Sequence, residues 1–511
     1  MKRSVFCGLV CLLAVFIPGC GSVSNAPSST EEGDVLPPED ALLTLWETPH
    51  FDPVYQGDSE LLRTVWSEFT LSPEDESRYP ALQAALVGIA RSNETAAAHF
   101  EETELPEIQA SYDTLFPDFL PFYSQNEGRI LRSDTKVVSL MQCLAIYRAG
   151  SQQDISFTAF TVDPQTGDFF TLDDVVTDPA ALPALLTETL CAQESGGDAA
   201  GLATFLEAQA AEDALCWTLG YQGLTFYFDA YELVPYGLGS LETTLYFADH
   251  PELFSPDLLP TAEAYAIAVP FSEAFTFDLD PTDDSADTLF VGWTPEEQDS
   301  ALGSFYLSVN GAVTEDHGFF AYSIKPYLVH MERDGSVQNF LYLEALLDND
   351  YRSIYVYDLS GSTPTLTAQL EGTGFSARFE EDQVYYEIFT DPTAFTLDTR
   401  LEVLGTMTGQ RVYLTDPENG APTPHTPDYT VAPRSFTLLR SLPVERLPQR
   451  EEDVLPADTV LTMFSTDNAS FIDFLLEDGS TCRVAVDLSD YPPKIDGLPN
   501  SDYFDGILYA G

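Results

Sequence analysis

The spacing of hydrophobic residues along the first half of the chain is partly helical and partly strand-like. From Pro80 to Glu102, apolar residues recur at intervals of three and four positions, which predicts a helix with one buried face. Further helical tracts cover 178–190 and 198–215, and strand-like runs such as 136–147 lie between the helices. Helices and strands are mixed without regular alternation. Residues 41–260 therefore predict an α+β domain, with packed helices on a mixed sheet.

The pattern after residue 289 is almost wholly strand-like. Short aromatic and β-branched runs recur between turn signals, and Asp478-Gly479 between two such runs predicts a hairpin. Residues 289–415 are therefore interpreted as a mainly β region, arranged as a barrel, a sandwich or a few propeller-like blades. The Pro-rich stretch 416–435 is interpreted as a linker, and 436–511 as a small C-terminal β module.

The first twenty residues form a targeting segment. Two basic residues precede an almost continuous apolar run, Ser4–Pro18, which is too short to cross a bilayer as a helix and is typical of a secretory signal. The segment ends at Gly19-Cys20 and resembles the bacterial lipobox, which implies that Cys20 is lipidated. Residues 21–40 have the composition of a flexible tether. We therefore expect an extracytoplasmic lipoprotein, held by its lipid on the outer face of the bacterial cytoplasmic membrane.

Charge narrows the classes of partner. The chain has 21 Lys and Arg against 83 Asp and Glu, a formal net charge of −62. Its hydrophobic content of 44% and aromatic content of 12% exclude an acidic disordered chain, because enough apolar material is present for a packed core. Nucleic acid is disfavoured as a partner, since no large basic patch is available. The field of so many acids favours cationic partners and solubility.

Catalytic and cofactor motifs are absent from the sequence. The six histidines are scattered, and none has the spacing of a zinc site. Four cysteines remain after the signal and the lipidated residue, and the sequence leaves open whether they form disulfides or buried thiols: Cys143, Cys191, Cys216 and Cys482. We therefore expect no cofactor and no enzymatic activity.

Two groups of carboxylates were candidates for chemistry. Five aspartates in the acidic stretch 261–288 are a weak calcium candidate: Asp278, Asp280, Asp283, Asp284 and Asp287. The glycine and glutamate positions of an EF-hand loop are not matched in this stretch, so 261–288 is interpreted as a solvated acidic linker. Adjacent Asp173 and Asp174 cannot flank one bond as glycosidase acids do, and they indicate the start of a helix.

Two motifs in the α+β region resemble one family. The first motif, in 160–176, is a strand followed by a tight turn and a Thr-Leu step, with matching residues Asp163, Thr166, Gly167, Leu172 and Asp174. The second, in 224–247, follows an aromatic strand, with matching residues Phe228, Tyr231, Glu232, Pro235, Tyr236 and Gly239. Together they resemble the RsiV-type extracellular domain, which is found in the anti-sigma factor RsiV and beside the catalytic domain of the deacetylase PdaC. The physical roles of these residues are architectural.

The resemblance implies a ligand-binding or sensing module outside the cytoplasm. In RsiV the ligand is lysozyme, a basic protein that cuts the cell wall. This chain has no deacetylase domain and no sigma-binding segment, so neither of those activities is carried over. The implied partners are a cationic protein such as lysozyme, or cell-wall glycan. Two alternatives stay open: a structural lipoprotein that maintains the envelope, and a wall-polysaccharide enzyme with an unrecognised carboxylate site.

Overall fold

Strands dominate the computed structural model, which describes residues 41–115, 120–148, 151–192, 199–229, 232–233, 240–280, 286–297, 300–380 and 383–509. Within these ranges the α-helices all lie before residue 212, and strands and short turns make up the rest. The predicted order, an α+β region followed by a mainly β region, is confirmed. The signal segment, the tether and Cys20 lie outside these ranges and stay predictions.

Helices and strands are interspersed in the first half of the chain. Its elements are β1 (Leu45–Gln56), β2 (Ser59–Leu71), α1 (Pro73–Arg78), α2 (Pro80–Leu115), β3 (Phe122–Ser133), β4 (Val138–Tyr147), β5 (Asp154–Val162), α3 (Leu172–Val175), α4 (Leu182–Ala192), α5 (Ala199–Ala211), β6 (Cys216–Leu219), β7 (Gly223–Phe228) and β8 (Leu241–Tyr246).

Strands follow one another through the second half. They are β9 (Ala264–Ala268), β10 (Ala274–Phe277), β11 (Asp287–Pro295), β12 (Leu302–Val309), β13 (Ala312–Phe320), β14 (Ser323–Arg333), β15 (Ser336–Leu346), β16 (Arg352–Asp358), β17 (Thr365–Glu371), β18 (Thr373–Phe375), β19 (Ala377–Glu380), β20 (Gln383–Glu387), β21 (Phe395–Leu401), β22 (Met407–Thr415), β23 (Pro422–Pro424), β24 (Tyr429–Leu438), β25 (Leu442–Leu447), β26 (Glu451–Leu455), β27 (Val460–Thr466), β28 (Phe471–Leu476), β29 (Thr481–Ala485), β30 (Lys494–Ile495), β31 (Leu498–Pro499) and β32 (Phe504–Asp505).

Both stretches interpreted as linkers contain strands. Within 261–288, β9 pairs with β14, and its Tyr265 and Ile267 are buried in a hydrophobic core. Within 416–435, β23 pairs with β22 and β24 begins at Tyr429. Short apolar runs in these stretches are therefore ordered by tertiary pairing, even though the surrounding composition is polar and rich in proline.

A mixed seven-stranded sheet positions the candidate site. Its strand order is β19-β20-β1-β2-β3-β4-β5, in which β2 and β3 are parallel and the other neighbours antiparallel. Two of its strands come from the later β region, where Glu387 of β20 pairs with Trp46 of β1. At the opposite side of the sheet, β5 is the last strand.

The long helix α2 covers one face of this sheet. Leu82 and Leu86 are buried one turn apart against the strands, as the apolar spacing predicts. The helix continues beyond the predicted end at Glu102 to Leu115. Its apolar stripe continues too, because Ile108 is buried in a cluster with residues of β2. Burial of each such side chain contributes about 2 kcal/mol.

A second layer covers part of the sheet near β5. Strands β6-β7-β8 form a three-stranded sheet that packs against α4 and α5 through Leu186, Leu206 and Phe226. The same small sheet is joined to the large one, since Ser139 Oγ of β4 donates a hydrogen bond to the Leu219 carbonyl at 2.9 Å. The first residues of β6 thereby lie beside β5.

The remaining described strands form open sheets. Their orders are β10-β11-β12-β13, β17-β16-β15-β14-β9, β30-β31 and β18-β21-β22-β24-β27-β28-β29-β25-β26, with β23 beside β22 and β32 beside β24. The Asp478-Gly479 hairpin is confirmed, because it joins β28 to β29 with Gly479 at a φ of 81°. The described residues form one compact unit. Of the described helices, none is long and apolar enough to span a bilayer.

Candidate functional site

A groove runs beside the outer edge of β5. Its volume is about 360 Å³. Three segments line it, and five of the lining side chains are aromatic: Phe157, Phe160, Phe169, Phe170 and Trp217. Phe169 is 51% exposed, which is unusual for a phenylalanine. The groove therefore presents aromatic surface directly to solvent.

The tight turn of the first motif places two of these rings. The Gly167 N–H donates to the Asp163 carbonyl at 2.8 Å, and Gly167 takes a φ of 72° that favours glycine. The chain then turns back along β5, where the Phe170 N–H donates to the Thr161 carbonyl at 2.8 Å. A Cβ on Gly167 would lie 2.5 Å from the Ala81 carbonyl oxygen, so the turn also abuts the start of α2.

The second motif supplies a carboxylate at the groove. The Phe157 N–H donates to Asp229 Oδ1 at 2.9 Å, and the Asp229 N–H donates to Glu232 Oε2 at 2.9 Å. Asp229 is half-buried directly after β7. The two motifs, which are separated in sequence, therefore meet at β5: one supplies the rings and the other the acid.

The cysteine in the groove is a poor nucleophile. Burial, together with the negative charges of Asp229 and Glu232, raises the pKa of the Cys216 thiol to about 12. A thiol must ionise to attack, so Cys216 is protonated near neutral pH. Burial likewise raises the pKa of Cys143 and of Cys482 to about 11. All four cysteines that the sequence left open are free thiols.

The groove lies in a part of the chain that has no lysine or arginine. Between Arg148 and Lys325 the sequence contains no Lys or Arg and 30 Asp and Glu. Every segment that lines the groove, and the whole three-stranded sheet beside it, falls in this interval. This interval is therefore strongly acidic. The nearby basic group comes from outside it, because the charge of Arg129 acts on Glu242 and on Tyr227, whose ring lies beside Phe157.

The other residues of the first motif are structural. Asp163 Oδ1 accepts the Gln165 N–H at 2.8 Å inside the turn. Leu172 is buried in the core that α4 and α5 share. The Thr171 N–H donates to the Asp174 carboxylate at 2.8 Å, and this bond lowers the pKa of Asp174. Asp174 thus closes the start of α3, as the sequence indicated for this pair of acids.

The residues of the second motif fall into two groups. Phe228 is buried in the core beside α4, and Glu232 caps the Asp229 N–H. The others lie outside the described residues: Tyr231, Pro235, Tyr236 and Gly239.

The five aspartates of the calcium candidate do not form one group among the described residues. Asp283 and Asp284 lie outside the described residues, and Asp287 is buried with its Oδ2 accepting the Leu279 N–H at 2.8 Å. The Gln222 side chain hydrogen-bonds both the backbone N–H and the backbone carbonyl of Asp278. Asp280 lies two residues after Asp278 in the chain. Across the described ranges, no three His, Cys, Asp or Glu side chains are grouped so as to hold a metal ion.

One buried carboxylate pair is held by an arginine. Arg352 bonds Glu344 Oε1 at 3.2 Å and Asp398 Oδ2 at 3.3 Å, and it donates to the Phe375 carbonyl at 2.6 Å. Asp398 also accepts the Ala377 N–H at 2.9 Å. These contacts join β15, β16, β18, β19 and β21. The pair therefore connects strands.

Glu242 is an acid with a raised pKa close to the groove. Burial raises the pKa of Glu242, while the charge of Arg129 lowers it. Glu242 is paired across β7 and β8 with Tyr227, and the Tyr227 ring lies 5.6 Å from that of Phe157. A carboxylic acid with a raised pKa is the kind of group that a hydrolase uses as a general acid, so Glu242 is the residue on which an enzymatic alternative depends.

Sequence reasoning missed the groove residues. Phe169 and Asp229 lie inside the two motif segments without being motif positions, and Phe157 lies before the first segment. The absence of Lys and Arg from 149–324 is readable from the sequence and marks the same region.

No protein-family model matches the chain, and no curated protein matches it. Two of its neighbours among solved structures are DUF3298 family proteins. One, from Bacteroides fragilis, is 14% identical; the match covers 43% of this chain and 96% of that one, with a TM-score of 0.32. Another, from Pseudomonas aeruginosa, is 17% identical; the match covers 44% of this chain and 99% of that one, with a TM-score of 0.28. The RsiV-type assignment itself stays a prediction.

Proposed function

We propose that this chain is a lipid-anchored extracytoplasmic protein that binds a cationic protein ligand and catalyses no reaction. The anchor rests on the signal-like segment that ends at Cys20 and on the tether of 21–40. Binding rests on one observation from the fold: an exposed aromatic groove opens within the stretch of chain that has 30 acids and no Lys or Arg.

The negative field and the aromatic surface serve different parts of binding. Long-range attraction increases the rate of encounter with a basic protein and weakens as salt screens it. The aromatic rings act only at contact, where burial of apolar area and cation–π attraction slow dissociation. A ligand that uses both keeps part of its affinity at high salt. Lysozyme, the basic ligand of RsiV, is the first protein to test.

The experiment is calorimetric titration of purified residues 21–511 with egg-white lysozyme at 50 and 300 mM salt. Saturable one-to-one binding that survives at 300 mM salt supports the proposal. Binding that vanishes at 300 mM salt reduces the interaction to non-specific attraction between opposite charges. If lysozyme does not bind, purified wall glycan is the next ligand, because exposed aromatic rings such as Phe169 also stack on sugars.

Anchoring has its own test. Cells that express the full chain are fed a labelled fatty acid, and the chain is recovered with label if Cys20 carries lipid. Cys20→Ser removes the attachment atom, so label and membrane retention are both lost. Retention of the variant in membranes would contradict the anchor.

The enzymatic alternative depends on Glu242. If the chain cuts wall polymer, purified protein releases soluble fragments from peptidoglycan, and Glu242→Gln abolishes the release because the amide cannot donate a proton. We expect no release from either protein.

A further inference from the structure

We propose that the groove beside β5 takes an aromatic side chain of the ligand, and that an acid at one end of the groove pairs with a basic residue next to that side chain. This inference rests on the proposed function and names the group that the ligand presents. The recognition element is short: an aromatic residue with a basic neighbour.

The backbone along the outer edge of β5 is already bonded within the chain. Three of its groups bond a carboxylate, a thiol and a backbone N–H that lie outside the seven-stranded sheet: the Phe157 N–H, the Ala159 N–H and the Thr161 carbonyl. A peptide that adds to a sheet as a new strand needs such groups free. The ligand therefore reaches the groove with a side chain and does not extend the sheet.

The size and the lining of the groove suit one ring. Its volume of about 360 Å³ is near the lower end of the range for ligand pockets, roughly 300–1,000 Å³, and suits one large side chain. The rings of Phe160 and Phe169 lie 5.8 Å apart at an angle of 50°, and Phe169 is half exposed. Aromatic rings favour tilted or offset contacts at about 4.5–7 Å, so a ring of the ligand packs against Phe169 in the same way.

An uncharged ring suits the groove better than a guanidinium does. The charge of Arg129 acts on Tyr227, whose ring lies 5.6 Å from that of Phe157 at one end of the groove. A second guanidinium inside the groove would be repelled by Arg129, whereas an aromatic ring is not repelled and gains from burial of its apolar area. The basic residue of the ligand therefore lies outside the groove.

Acids lie at the end of the groove away from Phe157. Phe169 is bridged to Val162, the last residue of β5, and the exposed Asp168 directly precedes Phe169. Asp163 follows Val162, and its N–H donates to the Asp168 carbonyl at 2.9 Å, so the two acids lie together. The Asp163 carboxylate is used inside the turn, where it accepts a backbone N–H. Asp168 is therefore the acid that pairs with the basic residue of the ligand.

The test uses three peptides, KKWKK, KKAKK and EEWEE, titrated calorimetrically into residues 21–511 at 150 mM salt. We expect KKWKK to bind at least five times more tightly than KKAKK, because only KKWKK carries a ring, and EEWEE to give no measurable binding. Equal affinity for KKWKK and KKAKK would overturn the proposal, since only the overall charge would then matter. Equal affinity for KKWKK and EEWEE would overturn it as well, because the acids would then play no part.

Variants with matched controls locate the ring of the ligand. Thr158 is exposed and lines the groove, so Thr158→Trp fills the groove, and we expect KKWKK to bind at least tenfold more weakly. Phe169→Ala removes an exposed ring, with an expected loss of threefold to tenfold. Phe379→Ala removes a ring that is 76% exposed on β19, at the other edge of the sheet, and we expect less than a twofold change. Equal effects of the two alanine variants would overturn the proposal.

A second pair of variants locates the basic residue. Asp168→Asn removes the exposed charge next to Phe169, and we expect KKWKK to bind about threefold more weakly. Asp257→Asn removes one exposed charge from the same interval without lysine or arginine, and we expect less than a twofold change. If the two variants weaken binding equally, Asp168 has no particular part in recognition and the pairing is wrong.

The two proposals can fail separately. If lysozyme binds the wild-type protein and Thr158→Trp weakens neither lysozyme nor KKWKK, the groove does not hold the ring and the binding function stands. If neither lysozyme nor KKWKK binds the wild-type protein, both proposals fail.

Discussion

Asp229 Oδ1 accepts the backbone N–H of Phe157 at 2.9 Å, which fastens the chain after β7 to the outer edge of β5. An open edge is a template for pairing with another chain, and a side-chain acceptor on one of its N–H groups blocks that pairing. The bond also places a carboxylate beside the aromatic groove. One hydrogen bond thus blocks pairing at the sheet edge and places a negative charge beside the groove.

Replacing Asp229 separates these two effects. Asp229→Ala leaves the Phe157 N–H without its acceptor, and we expect the free energy of unfolding to fall by about 1 kcal/mol. Asp229→Asn retains an acceptor oxygen and loses less than half of that amount. Urea unfolding of both variants measures the difference. Equal losses would show that the charge, and not the hydrogen bond, stabilises this edge.

The turn before Phe169 allows a test with a matched glycine. Gly167 has a φ of 72°, and a Cβ there would lie 2.5 Å from the Ala81 carbonyl oxygen. Gly57 has a φ of 62°, with open space around its Cβ position. Gly57→Ala therefore carries only the backbone cost, about 1–2 kcal/mol, and Gly167→Ala carries the same cost plus a clash.

We expect Gly167→Ala to be the more destabilising by at least about 1 kcal/mol in urea unfolding, since a 2.5 Å contact with backbone forces the turn to move. It should also weaken ligand binding, because the same turn sets the position of the Phe169 ring. Gly57→Ala should leave binding unchanged. Equal losses of stability would contradict the close approach to α2.

The sequence pattern predicts those elements whose defining residues lie close together in the sequence. The stripe of α2 was visible in Leu82 and Leu86, and the Asp478-Gly479 turn was visible between its strands. The pairing of β20 with β1 had no local signal, because Trp46 and Glu387 are brought together only by the folding of the intervening chain. Strand β9 was not predicted for the same reason: its partner β14 is distant in the sequence, and the residues around β9 are acidic.

Only part of the candidate site could be predicted from the sequence. The motif around Gly167 predicted a tight turn, but nothing local indicated that the turn would bring Phe169 onto the edge of β5. Asp229 looked like an ordinary acid after a strand, since its partner Phe157 is 72 residues away. Contacts of this kind depend on how sheets pack, which a single sequence does not encode in any short pattern.

Thiol chemistry provides an independent check on the groove. Burial raises the pKa of Cys216 to about 12, so its thiolate fraction at pH 8 is about one in ten thousand. We expect iodoacetamide to leave Cys216 unmodified in the native protein and to modify it rapidly in 8 M urea, as read by mass spectrometry. Native labelling at the unfolded rate would mean that Cys216 is exposed and that the groove is more open than described.

Glu387 of β20, at the other end of the seven-stranded sheet from the groove, is a buried acid. Burial, and to a smaller extent the charge of Asp398, raise its pKa to about 7. The folded protein therefore holds a proton that the unfolded chain releases near pH 4.5. Stability contributed by this proton is present below pH 4.5 and is lost as the pH rises to about 7. The charged form of Glu387 is the one that destabilises the fold.

Glu387→Gln mimics the protonated side chain at every pH. Relative to the wild type, we expect the variant to have a similar free energy of unfolding at pH 4.5 and a larger one at pH 8, by roughly 3 kcal/mol at most. The exposed Glu418→Gln controls for the loss of one negative charge and should show no such trend. Urea unfolding at the two pH values decides the outcome. A variant that is less stable than the wild type at pH 8 would mean that the ionised Glu387 has a stabilising partner, which is the opposite of the sign derived from its burial.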